Sequence, residues 1–289
     1  MARGSFLRLA ALAVLWGSSF LWIAIALRGL APIQIVLVRL IVGTVLLLGI
    51  TSARKLRLPT DRGLWLRLAI AAVFGNVIPY TLFAIAEQRV DSSVAGVLNA
   101  TTPLWTILIG FTVGTDRKVS GEKLAGFVIG FLGTLVIFTP WESGSQIASW
   151  GGLAALMAGA SYGVGYVYMS HQLAGKGLGP IVLSAGQLVA ATCILVVIAP
   201  FLGGFQVVHM RWDALLAVVM LGALATGMAY LLNYRLIADE GTTASVVTYL
   251  LPIVAVVLGA VVLGEPLTVS VLSGMVIVLA GVALTQRAA

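Results

Sequence analysis

Apolar runs about 20 residues long follow one another along nearly the whole chain, and this excludes most folds at the outset. Backbone groups placed in lipid must find partners within the protein, so only helices and closed barrels cross a bilayer. A barrel strand needs only about ten residues of alternating character, whereas these runs are long and continuous, which selects helices. Composition agrees. Charged residues make up 9% of the chain, against roughly 25% in soluble domains, and the mean hydropathy is +1.09. The sequence therefore predicts an all-α integral membrane protein with ten transmembrane helices. They cover residues 6–27, 32–52, 64–86, 91–114, 121–139, 150–171, 179–201, 211–236, 241–263 and 268–286. Connections are short and marked by Pro32, Pro59, Gly179-Pro180 and Glu265-Pro266, so any binding must take place within the membrane.

The two halves of the chain match each other. Pro32-Ile33, Arg39-Leu40 and Thr44 align with Pro180-Ile181, Gln187-Leu188 and Thr192. Trp16-Gly17 and Phe20 align with Tyr162-Gly163 and Tyr166, and Ala95 and Pro103 with Ala244 and Pro252. Leu124, Gly126, Val128-Ile129 and Gly133 align with Leu272, Gly274, Val276-Ile277 and Gly281. All four matches occur in order, 146 to 149 residues apart. The expected organisation is a first five-span repeat over residues 1–144 and a second over 145–289. Five is odd, so the second repeat enters from the opposite face and the two have inverted topology, as in many secondary transporters. The basic N-terminus and the small residues Ala24 and Ala26 resemble a signal peptide. Because the first apolar segment has a counterpart in the second half, it is read as a retained span.

Lysine and arginine set the orientation. With the N-terminus inside, thirteen of the 17 lie on the cytoplasmic side, and only Arg28, Arg89 and Arg211 lie opposite. Arg39 remains inside a span. The sequence thus predicts a multi-pass protein of a bacterial-type inner membrane with both termini cytoplasmic. The net charge of +7 sits mainly in short loops and is a topology signal, not a nucleic-acid footprint.

Within this frame two helix breaks stand out. Pro103 cannot donate to the carbonyl of Asn99, nor Pro252 to that of Thr248, and each break falls mid-span. Broken backbone at depth is tolerated where protein or a cavity receives it, so the two breaks are expected to face one shared cavity. Polar and aromatic residues at helical spacing extend that cavity. The candidate substrate-binding set is Trp16 and Phe20 in span 1, Asn76 and Tyr80 in span 3, and Asn99 and Thr102 in span 4. Tyr162 and Tyr166 in span 6, Tyr230 in span 8, and Thr248 and Tyr249 in span 9 complete it. Pro79, Pro103 and Pro252 are candidate hinges, Pro79 also freeing the carbonyl of Gly75. Glycine and hydroxyl positions, among them Gly126 and Gly130, equally suit close helix packing. Arg39 could hold a substrate carboxylate, snorkel to the interface, or bond backbone carbonyls.

Other chemistry lacks its groups. Cys193 is the sole cysteine, so no internal disulfide forms, and no cluster of His, Cys, Asp and Glu suggests a metal, a cofactor or an intramembrane enzyme. No carboxylate falls at the midplane, which favours a facilitator over a proton-coupled carrier unless Glu87, at the end of span 3, reaches the cavity.

Several of these residues resemble a known family. Trp16-Gly17-Ser18-Ser19-Phe20, Arg39, and Ala244 with Leu250-Leu251-Pro252 and Gly264-Glu265-Pro266-Leu267-Thr268 are similar to the EamA-type drug/metabolite transporter superfamily. The resemblance covers essentially the whole chain. In the first half, Gly114-Thr115-Asp116-Arg117-Lys118 departs from the pattern, with Asp for Glu and no proline. The resemblance implies an exporter of small metabolites, and within it the amino-acid exporters are the expected subgroup. The expected partners are a small-molecule substrate and the lipid bilayer. A broad, proton-coupled multidrug efflux carrier is the alternative.

Overall fold

A computed structural model describes residues 3–90, 92–114, 120–138, 141, 148–175, 177–202, 211–258 and 269–287. All regular structure among them is helical. The N-terminal half contains α1 (Arg3–Gly17), α2 (Ser19–Ala26), α3 (Pro32–Ala53), α4 (Arg62–Ala72) and α5 (Ile78–Ala86). It continues through α6 (Ser92–Asn99), α7 (Thr102–Thr112) and α8 (Gly121–Phe138). The C-terminal half contains α9 (Trp150–Gln172), α10 (Pro180–Ile198), α11 (Trp212–Gly222), α12 (Ala229–Glu240), α13 (Leu251–Leu258) and α14 (Val269–Arg287). Five stretches among the described residues are long and apolar enough to cross a membrane: Gly4–Ile23, Pro32–Ala53, Arg62–Ala86, Pro180–Phe201 and Trp212–Tyr249. The Gly264–Thr268 run and its counterpart Thr115–Lys118 lie outside the described residues.

Local chemistry accounts for the helix starts. Pro32 and Pro180 occupy the first position of α3 and α10, where a missing N–H costs nothing. Asp61 caps α4 by accepting from the Leu64 N–H at 2.6 Å, and Ser149 caps α9 by accepting from the Gly152 N–H at 3.2 Å. Arg8 in α1 pairs with Asp239 near the end of α12 at 2.5 Å, bringing those two helix ends together.

Two helices contain π segments. Between α4 and α5, Val73–Val77 is wound wide, and the Ile78 N–H reaches back five residues to the Val73 carbonyl. Between α11 and α12, Ala223–Met228 does the same, with the Ala229 N–H reaching the Leu224 carbonyl. Pro79 explains the first, because an α-helix cannot continue through the donor it lacks. No proline accompanies the second. There Thr226 Oγ1 donates to the Leu221 carbonyl, five residues back, at 3.0 Å.

Helix packing depends on small residues, as expected where lipid gives apolar side chains no reason to leave it. The α8 and α14 pair shows this most clearly. A β-carbon at Gly133 would lie 2.6 Å from the Val278 nitrogen, and one at Gly274 would lie 2.8 Å from the Ile137 nitrogen. The glycines of α8 and α14 therefore form an internal packing seam. Along α9, Gly163 lies against Trp105 and Thr106, and Gly165 against Gly75. This close approach draws the aromatic face of α9 up to the N-terminal half.

Candidate functional site

Each predicted break interrupts its helix, in a different way. At the first, α6 stops at Asn99 and α7 restarts at Thr102, with Thr101 still in right-handed helical geometry (φ −72°, ψ −14°). At the second, Gly241–Tyr249 is a nine-residue 3-10 helix, followed by α13 from Leu251. Pro103 and Pro252 each occupy the second position of the helix that restarts, where no intrahelical donor is needed.

One side chain from each break, Asn99 and Thr248, lines a common cavity. Trp16, Ser19 and Ile23 line it from α1 and α2, and Ile35, Val36 and Arg39 from α3. Tyr80, Phe83, Ala84 and Glu87 come from α5 and the turn that ends it. Tyr162, Tyr166 and Met169 of α9, and Tyr230 and Asn233 of α12, complete the lining from the second half. The walls are mainly aromatic and aliphatic, not polar throughout. Tyr162 stacks on Phe83 with ring centroids 6.0 Å apart and meets Tyr80 edge-on at 6.4 Å, while Trp16 meets Tyr230 edge-on at 6.3 Å.

Arg39 is buried and held from two sides. Its guanidinium carbon lies 3.7 Å from the centroid of the Tyr80 ring, and its Nε donates to Thr226 Oγ1 at 3.1 Å. It neither snorkels to an interface nor lies free. Thr226 belongs to the second π segment. At the corresponding place on α10, Gln187 Nε2 donates to Asn76 Oδ1 in the first π segment at 2.7 Å, and also to the Ala71 carbonyl at 3.2 Å. Tyr234 in turn donates to Gln187 Oε1. Each π segment also has a carbonyl bonded by an aromatic donor: Tyr230 Oη donates to Gly75, and Trp16 Nε1 to Ala225 at 3.0 Å.

The structure thus brings Trp16, Arg39, Tyr80, Asn99, Tyr162, Tyr166, Tyr230 and Thr248 to one cavity and places three other candidates elsewhere. Asn76 is fully buried and spends its oxygen on Gln187. Thr102 turns toward α9 beside Gly159. Tyr249 points away from the cavity, seated against Gly130 with its hydroxyl donating to the Phe127 carbonyl at 2.8 Å. Phe20 lies in α2, and its side chain is outside the described residues. Glu87 and Asn233 were absent from the expected binding set and belong to the wall. Both were visible in the sequence, Asn233 on the helical face of Thr226 and Tyr230, and Glu87 on the same helical stripe as Asn76 and Tyr80. No group of three or more His, Cys, Asp and Glu able to hold a metal is found among the described residues.

The EamA-like transporter family model matches residues 4–139 and 149–287. The chain belongs to the EamA-like transporter family. As a member of it, the protein is a membrane transporter and not an enzyme. Among EamA-type relatives, an uncharacterized transporter of Archaeoglobus fulgidus is 26% identical over 280 residues, covering 94% of this chain and 95% of the relative. The uncharacterized inner membrane transporter YedA of Escherichia coli K12 is 28% identical over 266 residues, covering 89% and 82%. A solved crystal structure superimposes with a TM-score of 0.77 over 99% of this chain and 98% of its own, at 18% identity, which shows a shared fold.

Proposed function

We propose that this EamA-family protein is an inner-membrane carrier that exports small metabolites, amino acids foremost and aromatic or apolar ones among them. It works by alternating access around the cavity between its halves. The observation that carries the reading is the origin of the walls: both halves supply them, through residues 16–99 and residues 162–251. A site built between two bodies can open to either face as they rock, with Pro79, Pro103 and Pro252 as hinge positions.

In this reading the chain forms ten spans as two inverted five-helix repeats, divided near residues 140–149, with both termini cytoplasmic. Support comes from pairings that recur 148 to 150 residues apart. Thr44 and Thr192, 148 residues apart, hydrogen-bond to each other at 2.8 Å, as equivalent positions beside a two-fold axis would. The Arg39–Thr226 bond has its counterpart in Gln187–Asn76, and the α8–α14 seam joins Gly133 to Gly274 much as it joins Gly126 to Gly281. The Arg8–Asp239 pair puts the N-terminal helix end and the end of α12 on the same face, as this arrangement requires.

The facilitator reading relied on there being no carboxylate in the cavity. Glu87 on the wall removes that ground and favours a second reading, proton-coupled export. Counterflow of labelled amino acids in proteoliposomes, with and without an imposed pH gradient, tests both. Saturable exchange stimulated by substrate on the far side is expected of a carrier. Its absence for every amino acid would overturn the substrate class, and gradient-driven accumulation would select the coupled reading.

A further inference from the structure

The cavity has two charged residues among those lining it, and they are not equivalent. Arg39 is engaged by the Tyr80 ring and by Thr226. Glu87 has an oxygen, Oε1, that is shielded from solvent and has no hydrogen-bond partner among the described residues. Asn99 Oδ1, Asn233 Oδ1 and the hydroxyls of Tyr80 and Tyr166 on the same wall are likewise shielded and unpartnered, and the two hydroxyls are neutral donors. A buried polar atom without a partner is costly, and a carboxylate oxygen most of all. The two amides can be turned either way, but an ionised carboxylate can only accept. Arg39 apart, the wall offers Glu87 no donor carrying positive charge.

The surroundings of Glu87 point to the same chemistry. Phe83 lies one turn before it and Tyr80 two turns before it on α5, so the carboxylate and two rings share a stripe. Tyr162 stacks on Phe83 and closes the aromatic side. Aromatic rings beside an acid form a favourable environment for an organic ammonium, which gains from ring faces and from the carboxylate together.

We propose that Glu87 is the seat of the substrate's ammonium group, with Phe83 and Tyr162 packing against the carbon beside it. The substrate class is then narrowed to primary amines and zwitterions. The Arg39 guanidinium favours the zwitterion, which adds no net charge to a cavity that already holds one charge of each sign. This inference rests on the carrier reading above and extends it to the chemistry of the bound molecule.

Three probes with one ring and different ends test it on purified full-length protein in detergent, by equilibrium binding. They are phenylalanine, 2-phenylethylamine and 3-phenylpropionate. The two ammonium compounds are expected to bind at least about ten-fold more tightly than the acid, with phenylalanine the tighter of the two. Glu87→Gln is expected to weaken both by about ten-fold or more, while the exposed Glu122→Gln leaves them unchanged. The proposal is overturned if 3-phenylpropionate binds as tightly as 2-phenylethylamine, if neither ammonium compound binds, or if Glu87→Gln binds them as the parent protein does. The probe comparison needs no variant, so a misfolded Glu87→Gln does not protect the idea. Counterflow of the same probes in liposomes separates the two levels. Exchange of the acid alone would keep the carrier and remove the ammonium seat, whereas no exchange of any probe would remove the carrier as well.

Discussion

The hydroxyl of Tyr230 donates to the carbonyl of Gly75, the group that Pro79 leaves without its helical partner. A break in one half of the chain is thus sealed by a side chain from the other. The same bond holds Tyr230 at the cavity wall, against Trp16. Tyr230→Phe keeps the ring and removes the seal. The variant is expected to lose about 1–2 kcal/mol of stability, read as a lower midpoint of thermal or denaturant unfolding in detergent. An unchanged midpoint would mean that the Gly75 carbonyl finds another donor at no cost.

Arg39 and Thr226 form the polar link between α3 and the second π segment. Because the guanidinium is flat and stacked on Tyr80, lysine cannot replace it. Arg39→Lys is therefore expected to impair transport nearly as much as Arg39→Ala. A double-mutant cycle with Thr226→Val should return a coupling of about 0.5–2 kcal/mol in unfolding experiments. Additive losses would show the 3.1 Å contact to be energetically idle.

The α8–α14 seam tolerates no side chain. Gly133→Leu places its β-carbon 2.6 Å from the Val278 nitrogen, whereas nothing lies within 4 Å of a β-carbon at Gly49. Gly133→Leu is expected to abolish monodisperse protein in size-exclusion chromatography after mild detergent extraction. Gly49→Ala should behave as the parent, within about 0.5 kcal/mol.

Cavity and packing residues should separate in two measurements. Tyr162→Ala removes a ring from the wall and is expected to raise the substrate concentration for half-maximal exchange by about ten-fold, with a small change in melting temperature. Tyr249→Phe and Thr102→Ala should do the reverse, lowering the melting temperature and leaving that concentration unchanged. The reverse pattern would place Tyr249 or Thr102 at the substrate.

The sequence shows the membrane class directly, because continuous apolar runs leave few alternatives. Pro79 and Gly75 were legible as a donor-less pair, though the bonding partner, Tyr230, lies 155 residues away and follows from no local rule. Neighbouring residues proved harder. The sequence groups Thr248 with Tyr249, but in the 3-10 geometry of Gly241–Tyr249 consecutive side chains diverge by about 120°, so one faces the cavity and the other α8. Asn76 sits in a π segment, where the widened turn shifts it off the α-helical stripe of Tyr80 and toward Gln187. Glu87 ends its span, and the sequence leaves open whether it reaches the cavity. The helix end itself borders the cavity, and only the packing of α5 against α9 reveals that.

The central claim is that substrate occupies the cavity between the two halves, and Asn99 tests it most directly, since it joins a helix break to the wall. The measurement is counterflow of a labelled amino acid into liposomes by the parent protein, by Asn99→Ala, and by Leu132→Ala on the exposed outer face of α8. Saturable counterflow that drops at least about five-fold in Asn99→Ala and is preserved in Leu132→Ala is the predicted result. Equal losses in the two variants, with each correctly folded, would contradict the account.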